Sequence, residues 1–382
     1  MAAAAHPAAR ESTVKGAVQA QVEWPDPRAY GAESPDHPLV ALARAERGTR
    51  GALTAKFREL AAVGDDAAIA AAFAAAPDQT VRRFLLEALK AAIDDPAPEE
   101  DGGLLARVFA LPVVFVAGGR AGAVVPGLIP DAAAIGGLLR QHGALGQTEN
   151  FGLAAALVTA ETLERLQPSE LYRWTRSIGD ADAGPRALSG TDIQIDAVEE
   201  RAHLRFLVGA GVAPAQGLSF VESGSRIGAW GLAVTRALAA QLGQQGLTLL
   251  PLPRPPKSLL VAAAAGRFAL QETRLSLFAS SVLRQLRASV GEPVAVLSVH
   301  AGCDVRVSLS SPFDASVLHG LRWPLGVFDD LTEVAHSIRS LLADCRVLDV
   351  RVVPGLQPDR DAAGALRFLS IHELGPSDEV RR

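Results

Sequence analysis

Residues 292–353 read EPVAVLSVHAGCDVRVSLSSPFDASVLHGLRWPLGVFDDLTEVAHSIRSLLADCRVLDVRVV, and they contain the clearest strand and helix patterns of the chain. Residues 294–299 place apolar side chains on both faces, which is typical of a central strand. Residues 304–310 alternate instead, with valine or leucine on one face and polar side chains on the other. This alternation predicts a second strand near a sheet edge, with one face in solvent.

A helix and a third strand complete this unit. After a loop that contains Pro312 and Pro324, Asp329 or Asp330 can cap a helix. Residues 348–352 then alternate as a further strand. If that strand is parallel to its predecessor, the helix is a right-handed crossover on a mixed sheet. The helix is indicated by apolar residues at helical spacing, which are Leu331, Val334, Ala335, Ile338, Leu341 and Leu342,.

The composition is that of a globular protein with a mild negative charge. The chain has 382 residues, of which 49% are hydrophobic, and its net charge is −5. Nucleic-acid binding needs a basic face, so the charge argues against it. Only four of the 37 basic residues are lysine, and we interpret the arginine and alanine excess as a GC-rich bacterial coding bias.

Cysteine content and hydropathy predict a cytoplasmic protein. Cys303 and Cys345 form neither a CxxC pair nor a disulfide framework,. No apolar stretch typical of a signal peptide follows Arg10, and the longest apolar runs are too short to span a bilayer. We therefore expect no membrane insertion.

The predicted fold class is α+β, or mixed α/β: a small helical module followed by mixed sheets with covering helices. Short helices separated by glycine and proline indicate the module, and an acidic Pro/Gly segment follows it. We divide the chain into a disordered leader (1–35), a helical module (36–95), a linker (96–103), a first α/β lobe (104–250) and a second α/β lobe (251–382). For the leader, docking through Trp24 is the alternative.

The first lobe opens with a segment that resembles the unit described above. PVVFVAGGRAGAVV (112–125) predicts a hairpin, as does PVAVLSVHAGCDVRV (293–307). Two similar ββαβ lobes would follow from an internal repeat, but chance similarity of two hairpins is the stronger interpretation. Three further predictions are a loop at 178–191, a hairpin that pairs 193–195 with 204–208, and a last strand at 366–372.

One loop combines residue types that support nucleophilic chemistry. His300, Cys303 and Asp304 lie within HAGCD, and a thiolate beside an imidazole can act as a nucleophile or as half of a zinc site. Two ligands do not make a metal site, and we predict none. An ordinary structural role for the loop is the stronger interpretation.

The segment SGSRIG (223–228) is a candidate anion site. It follows a short apolar run and opens a helix, so backbone N–H groups with Ser223, Gly224, Ser225 and Arg226 could hold a phosphate or carboxylate. It lacks the signatures of a P-loop and of a dinucleotide fold. A serine cap with a glycine turn is the simpler alternative.

Ser310 or Ser311, Asp314 and His319 contain the residue types of a hydrolytic triad. No G-x-S-x-G elbow accompanies them. Capping of a short helix by Ser311 or Asp314 is therefore favoured.

Three function classes follow. A non-catalytic interaction or assembly protein of the bacterial cytoplasm is favoured, because catalytic clusters are few and helices are many. The alternatives are an anion- or ligand-binding regulatory protein that uses residues 223–228, and a hydrolase or transferase that uses His300, Cys303 and Asp304. We expect a protein partner, leave a homo-oligomer open, and predict no cofactor.

Overall fold

The structure is a computed structural model that describes residues 37–45, 51–94, 104–118, 122–142, 150–176, 178–195, 202–214, 224–243, 247–250, 257–289, 292–300, 304–325, 329, 331–356 and 366–374. The predicted leader (1–35) and linker (96–103) lie outside these residues.

Helices make up most of the described chain, and the α+β class predicted from the sequence is confirmed. The helices are α1 (Pro38–Ala45), α2 (Gly51–Val63), α3 (Asp66–Ala74), α4 (Gln79–Asp94), α5 (Ala132–Gln141), α6 (Ala160–Glu164), α7 (Pro168–Arg176), α8 (Ile178–Ala187), α9 (Gly224–Leu242), α10 (Leu259–Ser289) and α11 (Leu331–Asp344).

The strands form two main sheets and one short pair. They are β1 (Leu104–Ala117), β2 (Val124–Val125), β3 (Asn150–Val158), β4 (Ile193–Gln194), β5 (Ala202–Pro214), β6 (Leu247–Leu250), β7 (Lys257–Ser258), β8 (Val294–His300), β9 (Asp304–Ser310), β10 (Leu318–Pro324) and β11 (Val350–Leu356).

The first sheet has the order β3-β5-β1-β6, and β7 also pairs with β1. All of these pairs are antiparallel. Side chains alternate along β1 between two apolar clusters, so Val108 and Ala110 lie in one and Phe109 and Leu111 lie in the other. Helices α1–α4 and α7 contribute to the first cluster and helices α5 and α9 to the second. Both faces of the sheet are therefore apolar and covered by helices.

Two hairpins predicted in this region are wrong. β2 pairs with β4, not with β1, and the neighbours of β1 are β5, β6 and β7. β5 pairs with β1 and β3, not with β4. The repeat is not reproduced, because the first segment does not form the hairpin that β8 and β9 form. Apolar alternation identifies a strand, but it does not specify a partner about a hundred residues away.

The predicted loop at 178–191 is also wrong over most of its length, because α8 occupies 178–187. Pro185 lies inside this helix, although proline usually disfavours a helix interior,. α8 lies close to α7, since a Cβ added to Gly184 would be 2.2 Å from Cε2 of Trp174. Tertiary packing has therefore overridden a weak local helix propensity.

The second sheet has the order β10-β9-β8-β11. The predicted strand–strand–helix–strand unit is present as β8, β9, α11 and β11. β11 is parallel to β8, whereas β8–β9 and β9–β10 are antiparallel. Four apolar positions of the predicted stripe in α11 are buried, and His336 is exposed.

The prediction that β9 has one face in solvent is wrong, although β9 does lie next to the edge strand β10. β10, in the region predicted as a loop, pairs along the whole of β9, and all seven residues of β9 are buried. Residues 366–374, which we call the C-terminal strap, cover its polar side chains. The strap is not the predicted strand at 366–372, because residues 371–373 form a 3-10 helix.

The long helix α10 contacts both halves of the molecule. Leu259, Ala262 and Leu270 pack in the core of the first sheet. Leu275 and Ala279 pack in the core of the second sheet. The division into lobes remains a prediction, but this helix gives them a shared structural element.

Candidate functional site

The hairpin of β8 and β9 brings together two of the three residues of the predicted catalytic loop. His300 and Asp304 are cross-strand partners, and each is only 2% exposed. Cys303 lies outside the described residues. The catalytic prediction depends on the thiol, so it stays a prediction.

Asp304 is held between two arginines. Its Oδ1 accepts from Nε of Arg306 at 3.2 Å, and its Oδ2 accepts from Nε of Arg322 at 2.6 Å. The side chain of Arg306 is 2% exposed, and that of Arg322 is 47% exposed. Both carboxylate oxygens are therefore engaged by guanidinium groups in a contact that joins β9 to β10. This arrangement holds two neighbouring strands together.

His300 has a polar neighbour on its own strand. Its Nε2 lies 3.2 Å from Oγ of Ser298, which is also buried. Cross-strand pairs share a face of a sheet, so Ser298 lies beside Arg306 and His300 lies beside Asp304,. We call this surface the polar face of the second sheet. Its described members on β8 and β9 are Ser298, His300, Asp304, Arg306, Ser308 and Ser310.

The strap binds the polar face through a regular set of hydrogen bonds. Nη1 of Arg306 donates to the carbonyl of Arg367 at 2.6 Å, and Oγ of Ser308 donates to the carbonyl of Leu369. The backbone N–H of Ile371 donates to Oγ of Ser310 at 3.4 Å. Each pair is separated by 61 positions in the sequence, so the strap runs parallel to β9 and in step with it.

The predicted triad residues have mostly local contacts. Oγ of Ser311 accepts from the N–H groups of Phe313 and Asp314, each at 3.1 Å. These contacts stabilise a turn between β9 and β10, and residues 311–317 contain no helix, so the predicted capping of a short helix is wrong. Hydrogen bonds from the Ser316 hydroxyl and N–H lower the pKa of Asp314. His319 lies on β10, in register with Leu309 on the apolar side of β9.

The anion site predicted at the helix start falls on side chains outside the described part of the chain. The sequence predicts that the segment 223–228 opens a helix, and helix α9 does begin at Gly224. Ser223 and the side chains of Gly224, Ser225 and Arg226 lie outside what the structure describes. The anion site therefore stays a prediction.

A cleft of about 720 Å³ lies where the helical module meets α6, α7 and α10. Its floor consists of buried aliphatic and aromatic side chains from these elements. The described lining residues are Asp66, Ile69, Ala70, Phe73, Ala74, Arg82, Leu89, Leu163, Glu164, Leu166, Gln167, Pro168, Leu171, Leu259, Leu260, Ala263, Ala264, Arg267 and Leu325.

The charged groups of the cleft are arranged in local contacts. Nε of Arg267 lies 2.9 Å from Oε1 of Glu164, as an ion pair whose N–H does not point at the oxygen. Desolvation raises the pKa of Glu164, although Arg267 opposes the shift. On the other wall, Asp66 accepts from the N–H of Ser169 at 2.9 Å and from its hydroxyl. Asp66 of α3 therefore caps α7 from a neighbouring helix.

Sequence reasoning did not find this cleft. The apolar pattern in α3 places Ile69 and Phe73 on one face, but this pattern is the same whether that face lines a cleft or packs in a closed core,. Glu164 and Arg267 are 103 positions apart and share no local motif. The cleft exists only because distant helices meet, and no residue spacing within one segment reports that.

Comparison with protein-family models, with curated proteins and with solved structures finds no match to this chain. Within the described ranges, no group of three or more His, Cys, Asp or Glu residues is arranged to hold a metal ion. Among the helices that the structure describes, none combines the length and hydropathy needed to cross a bilayer.

Proposed function

We propose that this chain is a non-catalytic interaction protein, an assembly or accessory factor, that binds an apolar segment of a partner protein in the cleft. The observation that carries the proposal is the cleft itself, with its volume of about 720 Å³ and its mostly apolar lining. A concave apolar surface with a few polar groups is the usual form of a binding site.

The walls favour an amphipathic helix as the bound segment. They come from helices α3, α7 and α10, and grooves between helices typically receive the apolar face of another helix,. Groups of both signs, Asp66 and Glu164 with Arg82 and Arg267, lie among the apolar residues. Charged residues beside the apolar stripe of a helix can pair with such groups.

The contacts of the charged residues support binding rather than catalysis. Glu164 pairs with Arg267, and Asp66 caps α7, so both carboxylates already have structural roles. The proposal also includes the bacterial cytoplasm, which the composition supports, and it leaves a second copy of this chain among the possible partners. The anion site at 223–228 and the hydrolase or transferase site at His300, Cys303 and Asp304 are alternatives that no described contact favours.

Two neighbouring alanines of α3 allow a matched test. Ala70 lines the cleft, whereas Ala71 is exposed on the same helix and is not in the described lining. A photoreactive amino acid at position 70 should cross-link a partner peptide in a lysate of the source organism, and one at position 71 should not. The cross-linked peptide, identified by mass spectrometry, should have apolar residues at helical spacing.

A synthetic copy of that peptide then gives the decisive measurement. Its affinity for the purified chain, measured by fluorescence anisotropy, should fall by about ten-fold or more with Ala70→Trp, which fills the cleft, and remain unchanged with Ala71→Trp. The same cross-links at both positions, or no loss with Ala70→Trp, would contradict the proposal. If position 70 cross-links a small apolar molecule and no peptide, the cleft is a ligand-binding site and the proposed protein partner is wrong.

A further inference from the structure

The polar face of the second sheet binds its covering segment mainly through backbone atoms. Arg306, Ser308 and Ser310 alternate along β9, and they contact the carbonyl of residue 367, the carbonyl of residue 369 and the N–H of residue 371. Backbone groups are common to every peptide, so these contacts do not depend on the side chains at residues 367, 369 and 371.

The strap itself is less buried than the surface below it. Ser308 and Ser310 are fully buried and Arg306 is 2% exposed, whereas Ser370 is the only strap residue in the buried class. The segment therefore shields a polar surface without contributing a large apolar core. An extended peptide held this way can be exchanged more readily than a helix that is anchored by an apolar stripe.

Two strap side chains contact the sheet: Nε2 of His372 lies 2.9 Å from the carbonyl oxygen of Ser311, directly after β9, and the ring of Phe368 lies against Gly320 of β10. A Cβ added to Gly320 would lie 2.3 Å from Cγ of Phe368, so the missing side chain of Gly320 provides the space for this ring. Gly320 is the cross-strand partner of Ser308, which binds the next strap residue. The surface thus combines a line of backbone contacts with one slot for an aromatic ring. In the recognition of extended peptides, backbone hydrogen bonds typically provide affinity and side-chain pockets provide specificity.

We propose that the polar face is a peptide-binding surface, which the strap occupies in cis. Its partner is a peptide whose backbone is extended along Arg306 and Ser308 and begins a 3-10 turn at Ser310, and which places an aromatic side chain over Gly320. The strap competes with this peptide, because a tethered segment has an effective concentration of about a millimolar. This surface shares no described residue with the cleft, so the two proposals can fail separately.

A labelled copy of the strap tests the proposal on the full chain. The probe is a fluorescein-labelled peptide with the sequence GALRFLSIHEL, which corresponds to residues 364–374. Phe368→Ala in the protein weakens the cis competitor and leaves the surface intact. Fluorescence anisotropy should therefore show at least about ten-fold tighter binding to this variant than to the wild type. Adding Gly320→Val should abolish that gain, because it fills the slot.

Control peptides establish what is recognised. Replacing the phenylalanine of the probe by alanine, or scrambling its sequence, should remove most of the binding. Binding to a folded Phe368→Ala chain that is no tighter than to the wild type, or equal binding of the scrambled peptide, would overturn the proposal.

A milder variant keeps the test valid if Phe368→Ala does not fold. Phe368→Leu removes the aromatic ring but keeps apolar bulk, and it should bind the probe more tightly than the wild type does. A folded Phe368→Leu chain that binds the probe no tighter than the wild type would count against the surface.

Discussion

Among the side chains that the structure describes, each of the two main sheets has one buried arginine on a strand with neighbours on both sides. Arg205 on β5 is fully buried, and Arg306 on β9 is 2% exposed. Arg205 donates to the carbonyls of Leu157, Val125 and Thr191, at 3.4, 3.5 and 2.6 Å. Arg306 donates to Asp304 and to one carbonyl of the strap. Both arginines therefore attach irregular or peripheral segments to a sheet.

The difference between them lies in the counter-charge. Arg306 contacts a buried carboxylate, whereas the described hydrogen bonds of the Arg205 side chain go only to carbonyls. Desolvation lowers the pKa of Arg205, and the more distant charges of Asp192 and Glu161 oppose that shift. A charge held by dipoles and a charge held by an ion pair should respond differently to substitution.

The largest expected effect is at the ion pair of the second sheet. Asp304→Ala removes the carboxylate between Arg306 and Arg322 and leaves one of these cations almost fully buried. The loss should be about 3–5 kcal/mol in the free energy of unfolding, because an uncompensated buried charge is costly. Urea denaturation followed by circular dichroism measures this loss.

An exposed carboxylate of the same region is the control. Asp314 is exposed and accepts hydrogen bonds from Ser316. Asp314→Ala should therefore be much milder than Asp304→Ala. A loss at Asp304 no larger than the loss at Asp314 would show that the buried network does not stabilise the fold.

The second effect concerns Arg205. Arg205→Met keeps the apolar bulk but leaves three carbonyls without their donor, so we expect a loss of about 2–4 kcal/mol. Arg205→Lys should recover only part of it, because one ammonium group cannot reach three separate carbonyls. The same denaturation experiment applies. If the methionine variant is as stable as the wild type, the carbonyl contacts contribute little, and the two sheets do not differ as proposed.

Local patterns predict strands and helices of this chain better than they predict the neighbours of each strand. The helix α11 was predicted because its apolar spacing, which determines the face that is buried, lies within one segment. The partner of β1 was missed because β5 begins 85 positions after β1 ends. β10 was missed since Gly320 and Pro324 weaken the strand signal, although its glycine makes room for Phe368,.

The candidate sites show the same limit. The sequence placed His300 and Asp304 in one loop, and the hairpin does bring them together. The sequence did not predict that Arg306 and Arg322 both donate hydrogen bonds to the carboxylate of Asp304. Arg322 lies on β10, in a region where the local pattern predicted a loop. The cleft and the strap surface depend on contacts between segments about 60 to 200 positions apart, which no single-segment pattern contains.

The smallest effect should be at a third arginine, Arg267, whose side chain is 31% exposed beside a Glu164 that is 39% exposed. Exposed pairs are screened by water, so Arg267→Gln should cost about 1 kcal/mol or less. Its clearer result should be a further rise in the pKa of Glu164, which desolvation already raises and Arg267 opposes. A raised carboxyl pKa favours folding in acid, and that contribution is lost as the pH rises through the folded value. The stability deficit of the variant should therefore be present at neutral pH and vanish where Glu164 is protonated in both proteins.

Carbon-13 NMR titration of the Glu164 carboxyl, with unfolding measured across the same pH range, checks both points. A fall in the pKa, or a deficit independent of pH, would show that this pair does not act through its charge.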